Sequence, residues 1–209
     1  MSSFLALDWE KHRLTGLDAE VLKSRVRVRR FFQLDWPVDP LEPPAAGDML
    51  RQEIERLGLK ARQVLVALPR EDVAVRQLEV PDVPDSRLPD LVYLQAETRS
   101  TSPTDRSILD FVPLPNSPSQ TMRQVLLVTI SRERIAQIRS IVEAAGCELV
   151  SVGISPSATA ELVAQVESRR QISGQTTSLV VARQATRLEI SLLRDRHLLF
   201  THSAHLAGV

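Results

Sequence analysis

FLALDW (4–9), HRLTGLDAE (12–20) and RVRVRRFFQL (25–34) open the chain, and their reading decides the fold. The first run is apolar, and the other two alternate apolar with polar residues, the period-two pattern of strands. The short connection Glu10-Lys11 and the stretch around Lys23 and Ser24 predict an antiparallel meander over the first 36 residues. Downstream, Asp48 is expected to cap a helix running to about Leu57. Leu50, Ile54 and Leu57 would share its inner face, with Gly58 as the stop. VLVAL (64–68) then reads as a short buried parallel strand.

Twelve of the thirteen prolines lie between Pro37 and Pro118 and punctuate the middle of the chain. Residues Asp72–Leu78 alternate as a strand, and VPDVPDSRLP is a turn-rich connection. A helix is expected from Pro89 to Arg99, with Leu91, Leu94 and Gln95 inward and Pro103 beyond its end. Strands at 108–114 and 124–130 are joined by the loop 115–122. Ser131 is expected to cap a helix lined by Ile135, Ile138, Val142 and Ala145 and ended by Gly146. ELVSVGI (148–154) is a strand. Ser155 and Pro156 open a helix carried by Leu162, Val163 and Val166 to about Arg170. After the linker QISGQTT, the segments 178–183, 186–193 and 197–203 read as a second meander, with a tight turn at 194–196. A shift of 174 residues lays Arg13-Leu14 on Arg187-Leu188, Leu5 on Leu179 and Leu7 on Val181. The two meanders therefore share an inward phase.

Composition bounds the function. The 209 residues are 43% hydrophobic and 25% charged, which suits an ordinary globular protein and excludes disorder. Twenty-six basic residues balance twenty-six acidic ones, so no global field recruits nucleic acid or an anionic membrane. No apolar run reaches the length of a spanning helix, and Asp8 and Glu10 interrupt any leader-like start. A lone cysteine fits a reducing cytoplasm. Only seven glycines occur, none in a GxG or GK[ST] setting, so Walker and Rossmann phosphate sites are excluded.

The order of elements is meander, helix and strand, inserted α/β unit, then meander. That is the order used by the actin-like ATPase fold. The run Val73, Arg76, Leu78, Val80-Pro81, Val83-Pro84, Leu91, Gln95-Ala96-Glu97, Pro103 and Asp110-Phe111 resembles the PilM-type type IV pilus assembly proteins. So do Val125 to Val128, Ala144-Ala145-Gly146, Val152 and Ala158. The family is related to the cytoplasmic domain of type II secretion protein L. The resemblance implies an α/β fold, an actin-like (ribonuclease H-like) mixed sheet with an inserted α/β subdomain. Residues 1–70 plus 148–172 would form the first lobe, 71–147 the insertion, and 177–209 the start of a second, incomplete lobe. Apolar surface left open on that incomplete lobe leads to the expectation of a homodimer, by strand exchange or otherwise, or of packing back onto residues 1–172.

The family's nucleotide chemistry lies in two loops of the form Asp-x-Gly followed by hydroxyl residues. This chain keeps Asp8 of the first but continues Trp9-Glu10-Lys11-His12, and near Ala182-Arg183-Gln184 the second lacks both Asp and Gly. The resemblance thus implies a nucleotide-free adaptor, without cofactor or catalysis, at the cytoplasmic face of the inner membrane. Its partner would be a short cytoplasmic N-terminal segment of a single-span assembly protein. The alternative is an Mg-ATP-binding ATPase with diverged loops, for which Asp8 is the vestigial ligand.

Ala74, Arg76, Leu78 and Val80 share one strand face, and Arg76, Leu78 and Val80 are expected to line the partner groove. An arginine among apolar residues also commonly snorkels at an edge. Arg25, Arg27 and Arg29 share a face of the third strand and form the runner-up surface, for an acidic segment or anionic lipid. The simpler account is an edge kept charged against aggregation. Nucleic acid is not expected, because base recognition needs aromatics interleaved with the charges. His197, His202 and His205 fit no zinc spacing, so no metal site is expected. Cys147 reads as a small core residue.

Overall fold

The computed structural model describes residues 2–11, 13–23, 25–35, 42–99, 106–115, 121–170, 177–183, 187–194 and 197–206. Two compact units divide the chain: Met1–Pro69 with Glu133–Ser155, and Arg70–Arg132 with Pro156–Val209.

The first unit is built on the predicted meander. Strands β1 (Ser2–Trp9), β2 (Arg13–Leu22) and β3 (Arg25–Asp35) pair antiparallel. Two parallel neighbours, β4 (Gln63–Leu68) and β8 (Glu148–Ile154), extend the sheet in the order β3-β2-β1-β4-β8. Register places Leu5, Leu7, Trp9, Leu14, Val64, Val66 and Leu68 on one face, and all are buried. Full burial of each such side chain contributes about 1.5–3 kcal/mol.

Helix α1 covers Pro43–Arg56 and starts five residues before the predicted Asp48. Pro43 and Pro44 occupy its first turn, where the missing amides have no intrahelical partner in any case. Asp48 instead pairs with Arg51 along the helix. At the other end Gly58, at φ +63°, lets the Leu59 amide return to the Ile54 carbonyl at 3.0 Å. Helix α3 (Arg132–Ala144) ends the same way at Gly146, with Cys147 N donating to Val142 O at 3.1 Å. Its inner face is Ile138, Ile141 and Val142, with Ile135 only half-buried.

The boundaries differ from those expected at two helices. α3 belongs with the first unit: at Gly47 an added Cβ would lie 2.4 Å from Ala144 Cβ and 2.9 Å from Ile141 O. Helix α4 (Ser155–Arg169) goes, from Pro156 onward, with the second unit, where Ser178 Oγ donates to Glu167 Oε1 at 2.5 Å.

The second unit holds strands β5 (Ala74–Pro81), β6 (Ser107–Pro113) and β7 (Met122–Ser131) in the order β5-β7-β6, with helix α2 (Leu88–Arg99). A short 3-10 turn at Arg70–Asp72 replaces the predicted start of β5. Leu78, Val80, Val125 and Leu127 pack with Leu88, Val92 and Ala96 of α2. The buried face of α2 is therefore rotated from the predicted one, and Leu94 is exposed. α4 likewise buries Pro156, Ala160 and Ala164, while Leu162 and Val166 are exposed.

Strands β9 (Thr177–Arg183), β10 (Arg187–Arg194) and β11 (His197–His205) form the second meander. The turn at 195–196, the linker 171–176 and Pro103 lie outside the described residues.

Gly47→Ala should destabilise the protein. Helix propensity returns at most about 1 kcal/mol, whereas forcing a methyl against the α3 backbone costs about 1–3 kcal/mol. Gly153, where an added Cβ meets nothing within 4 Å, should accept alanine with little change. Urea unfolding of the two variants checks the contrast.

Candidate functional site

β1, β4 and β8 run parallel, and in open α/β sheets ligands gather at the carboxyl ends of such strands. Asp8 stands there, in one row with Ala67 and Gly153. Its carboxylate accepts a 2.9 Å hydrogen bond from Ser155 Oγ, at the start of α4. This is the residue that the resemblance marks as the vestigial first-loop ligand. β1 stays paired with β2 through Asp8↔Thr15 and Trp9↔Leu14, and the Glu10 amide donates to the Arg13 carbonyl at 2.9 Å. The hairpin between β1 and β2 is thus closed by backbone bonds, and Trp9 is buried in the core face. His12, and Gln184 of the expected second loop, lie outside the described residues.

The arginine strand is organised by a β-bulge. Asp18 pairs with Arg30 and Ala19 with Val28, which leaves Arg29 as the extra residue. Arg29 is thereby turned across the sheet to Asp18 Oδ1 at 2.7 Å, Glu20 Oε1 at 2.6 Å and Ser3 Oγ at 2.5 Å. The hydrogen bond that Arg29 donates to Asp18 leads in raising the guanidinium pKa, against desolvation and with the charges of Asp18 and Glu20 adding to it. Arg29 is a strand clamp and is not available to a partner. Its acceptors, Asp18 and Glu20, escaped the sequence reading, although their alternation in 12–20 puts them on one face. Arg30 donates to the Leu57 carbonyl at the end of α1. Arg25 and Arg27 are exposed and have no hydrogen-bond or ion-pair partner among the described residues.

The first-choice partner surface separates. Leu78 and Val80 belong to the core beneath α2, so they cannot line an open groove. Arg76 is exposed on β5, an edge strand of its sheet. On the second meander, Leu179, Val181 and Phe200 are exposed. Beneath them, Arg187 donates to Glu71 at 3.0 Å and Arg70 to the carbonyls of Val73 and Thr201. Burial lowers the Arg70 pKa against the charge of Glu189. His202 stacks on Phe200, and His205 lies 3.3 Å from Glu71. Among the described residues no cluster of metal-ligating side chains occurs. Cys147 is buried, which pushes its thiol pKa up. No helix among them is long and apolar enough to cross a membrane.

A family model for the type IV pilus assembly protein PilM matches residues 41–209. The chain belongs to the PilM family. No curated protein matches it significantly by sequence. Among solved structures, it is similar to the PilM–PilN type IV pilus biogenesis complex, at 22% identity and a TM-score of 0.80. That match covers 98% of this chain but only 62% of the other. The cytoplasmic domain of EpsL, an inner-membrane component of the type II secretion system of Vibrio cholerae, matches at 14% identity and a TM-score of 0.63, covering 98% of this chain and 71% of that one. A Bacteroides thetaiotaomicron protein with an actin-like ATPase fold matches at 9% identity and a TM-score of 0.52, covering 99% and 71%. Likenesses this remote show the fold, which is the actin-like one.

Arg29→Ala should destabilise the protein, because Asp18 would be left buried without its counter-charge. Arg25→Ala and Arg27→Ala should stay within about 0.5 kcal/mol of the parent. Chemical denaturation of the three variants reads the difference directly.

Proposed function

We propose that this PilM-family protein is a nucleotide-independent adaptor at the cytoplasmic face of a type IV pilus inner-membrane assembly. Its partner is a short cytoplasmic N-terminal segment of a single-span membrane protein. The observation that supports this reading is the closed β1–β2 turn: the Glu10 amide bonds Arg13 and Trp9 is buried, which favours a hairpin over a phosphate cradle there. The partner class is supported by family membership and by the similar PilM–PilN complex. A diverged ATPase is the second reading, favoured by Asp8 at the carboxyl ends of the parallel strands with open space above Gly153.

Mg-ATP separates the two. Ligand at 100 times its Kd stabilises a native site by about 2.7 kcal/mol, which in a chain of this size raises Tm on the order of 5–10 °C. The adaptor reading expects no such rise, and a saturable rise lost in Asp8→Ala would establish the ATPase reading instead.

Within the adaptor, Arg76 is the residue proposed to meet the partner's peptide, through its carboxylate or carbonyl groups. Arg76→Ala is expected to weaken binding of that N-terminal peptide about tenfold or more, consistent with a charge-assisted bond worth about 1.5–3 kcal/mol, with unchanged thermal stability. Leu78→Asp is no test of the groove, since a carboxylate in that core unfolds the sheet. Peptide affinity unchanged in Arg76→Ala, measured by calorimetry, would move the groove elsewhere.

A further inference from the structure

β3 is a terminal strand of its sheet, and its outer edge pairs with no other strand among the described residues. Edges of this kind invite pairing with another chain. The strand is eleven residues long, and its two faces differ chemically. Val26, Val28 and Phe31 are 67%, 54% and 58% exposed and stand opposite Val21, Ala19 and Leu17 of β2. The bulge at Arg29 absorbs the odd spacing and keeps Phe31 on the same face as the two valines. The other face carries Arg25 and Arg27, exposed and without a partner among the described residues, while Arg29 and Arg30 are engaged within the unit. In a chain of formal net charge zero, these two arginines are a local feature.

We propose that the β3 edge accepts an extended acidic segment of another protein as an added strand. Its carboxylates would lie opposite Arg25 and Arg27, and its apolar side chains opposite Val26, Val28 and Phe31. Main-chain bonds would give the affinity and the alternation would select the sequence. An anionic membrane fits less well, because it cannot meet both faces of a sheet at once, whereas an added strand does. A second copy fits less well too. Antiparallel pairing of β3 with itself sets Arg30 against Arg30 in the full-length register, and Arg25 against Arg27 or Arg27 against Arg27 in registers centred on its first residues; like charges directly opposite are destabilising. This surface is separate from the Arg76 groove proposed above.

The probe is a labelled hexapeptide alternating glutamate and valine, followed by fluorescence anisotropy on the full chain at low salt. Saturable binding is expected. Arg25→Glu/Arg27→Glu should weaken it roughly tenfold, and the same variant should gain affinity for a lysine–valine peptide. N-methylation of alternate peptide amides should abolish binding, while Arg76→Ala should leave it unchanged, so the two proposals fail independently. Three results would overturn the inference. They are equal binding by the N-methylated peptide or the charge-reversed variant, binding of phosphatidylglycerol vesicles in place of the peptide, and a dimer in light scattering that the charge reversal dissolves.

Discussion

The pairing of β1 on both of its sides constrains everything else in the first unit. Leu5, Leu7 and Trp9 are held between β2 and β4, and they supply the buried row on which the sheet rests. For that row to reach Trp9, the antiparallel ladder must continue to Leu14 and close at Glu10 and Arg13. The core therefore fixes the backbone of this hairpin up to Trp9 and again from Arg13.

Strands were legible in the sequence because period two is hard to imitate. β8 falls on the predicted residues, and both meanders appear where the alternation put them. Helix faces were less legible. The inner faces of α2 and α4 are drawn by Ala96, Ala160 and Ala164 as much as by larger side chains, while Leu94 and Leu162 point outward. Where elements approach closely, small residues face inward and bulk no longer marks the buried side. Gly47 against Ala144 is the extreme case: nothing in the sequence marked a glycine inside α1 as a packing site.

Site residues were legible as positions and illegible as roles. Asp8 lies at the strand end, as its spacing implied, but its role depends on hydrogen bonds to Ser155 and within the hairpin that link distant or local backbone groups. Alternation put Arg25, Arg27 and Arg29 together, and the bulge then separated the third from the others by supplying it with two carboxylates. Leu78 and Val80 illustrate the converse error. A strand with one apolar face looks the same whether a partner or its own helix covers it, and here α2 does.

The two meanders show how far a repeat can be read. Register repeats under the 174-residue shift: Leu5 pairs with Asp18 and Leu7 with Gly16, as Leu179 pairs with Leu192 and Val181 with Ile190. Environment does not repeat. Leu5 is fully buried, whereas Leu179 is 66% exposed, so the shared inward phase inferred from sequence is corrected by burial. In the second meander the buried face carries Arg187, Glu189, Ser191 and Thr201 beside Leu193 and Leu198. Backbone pairing constrains which residues stand side by side. It does not decide which face becomes core, because that depends on what else packs there and on whether buried charges find partners. Arg187 finds Glu71 at the start of the inserted segment, and this ion pair makes a polar face tolerable inside the second unit. The opposite face of the same strands, with Leu179, Val181 and Phe200, is left outward.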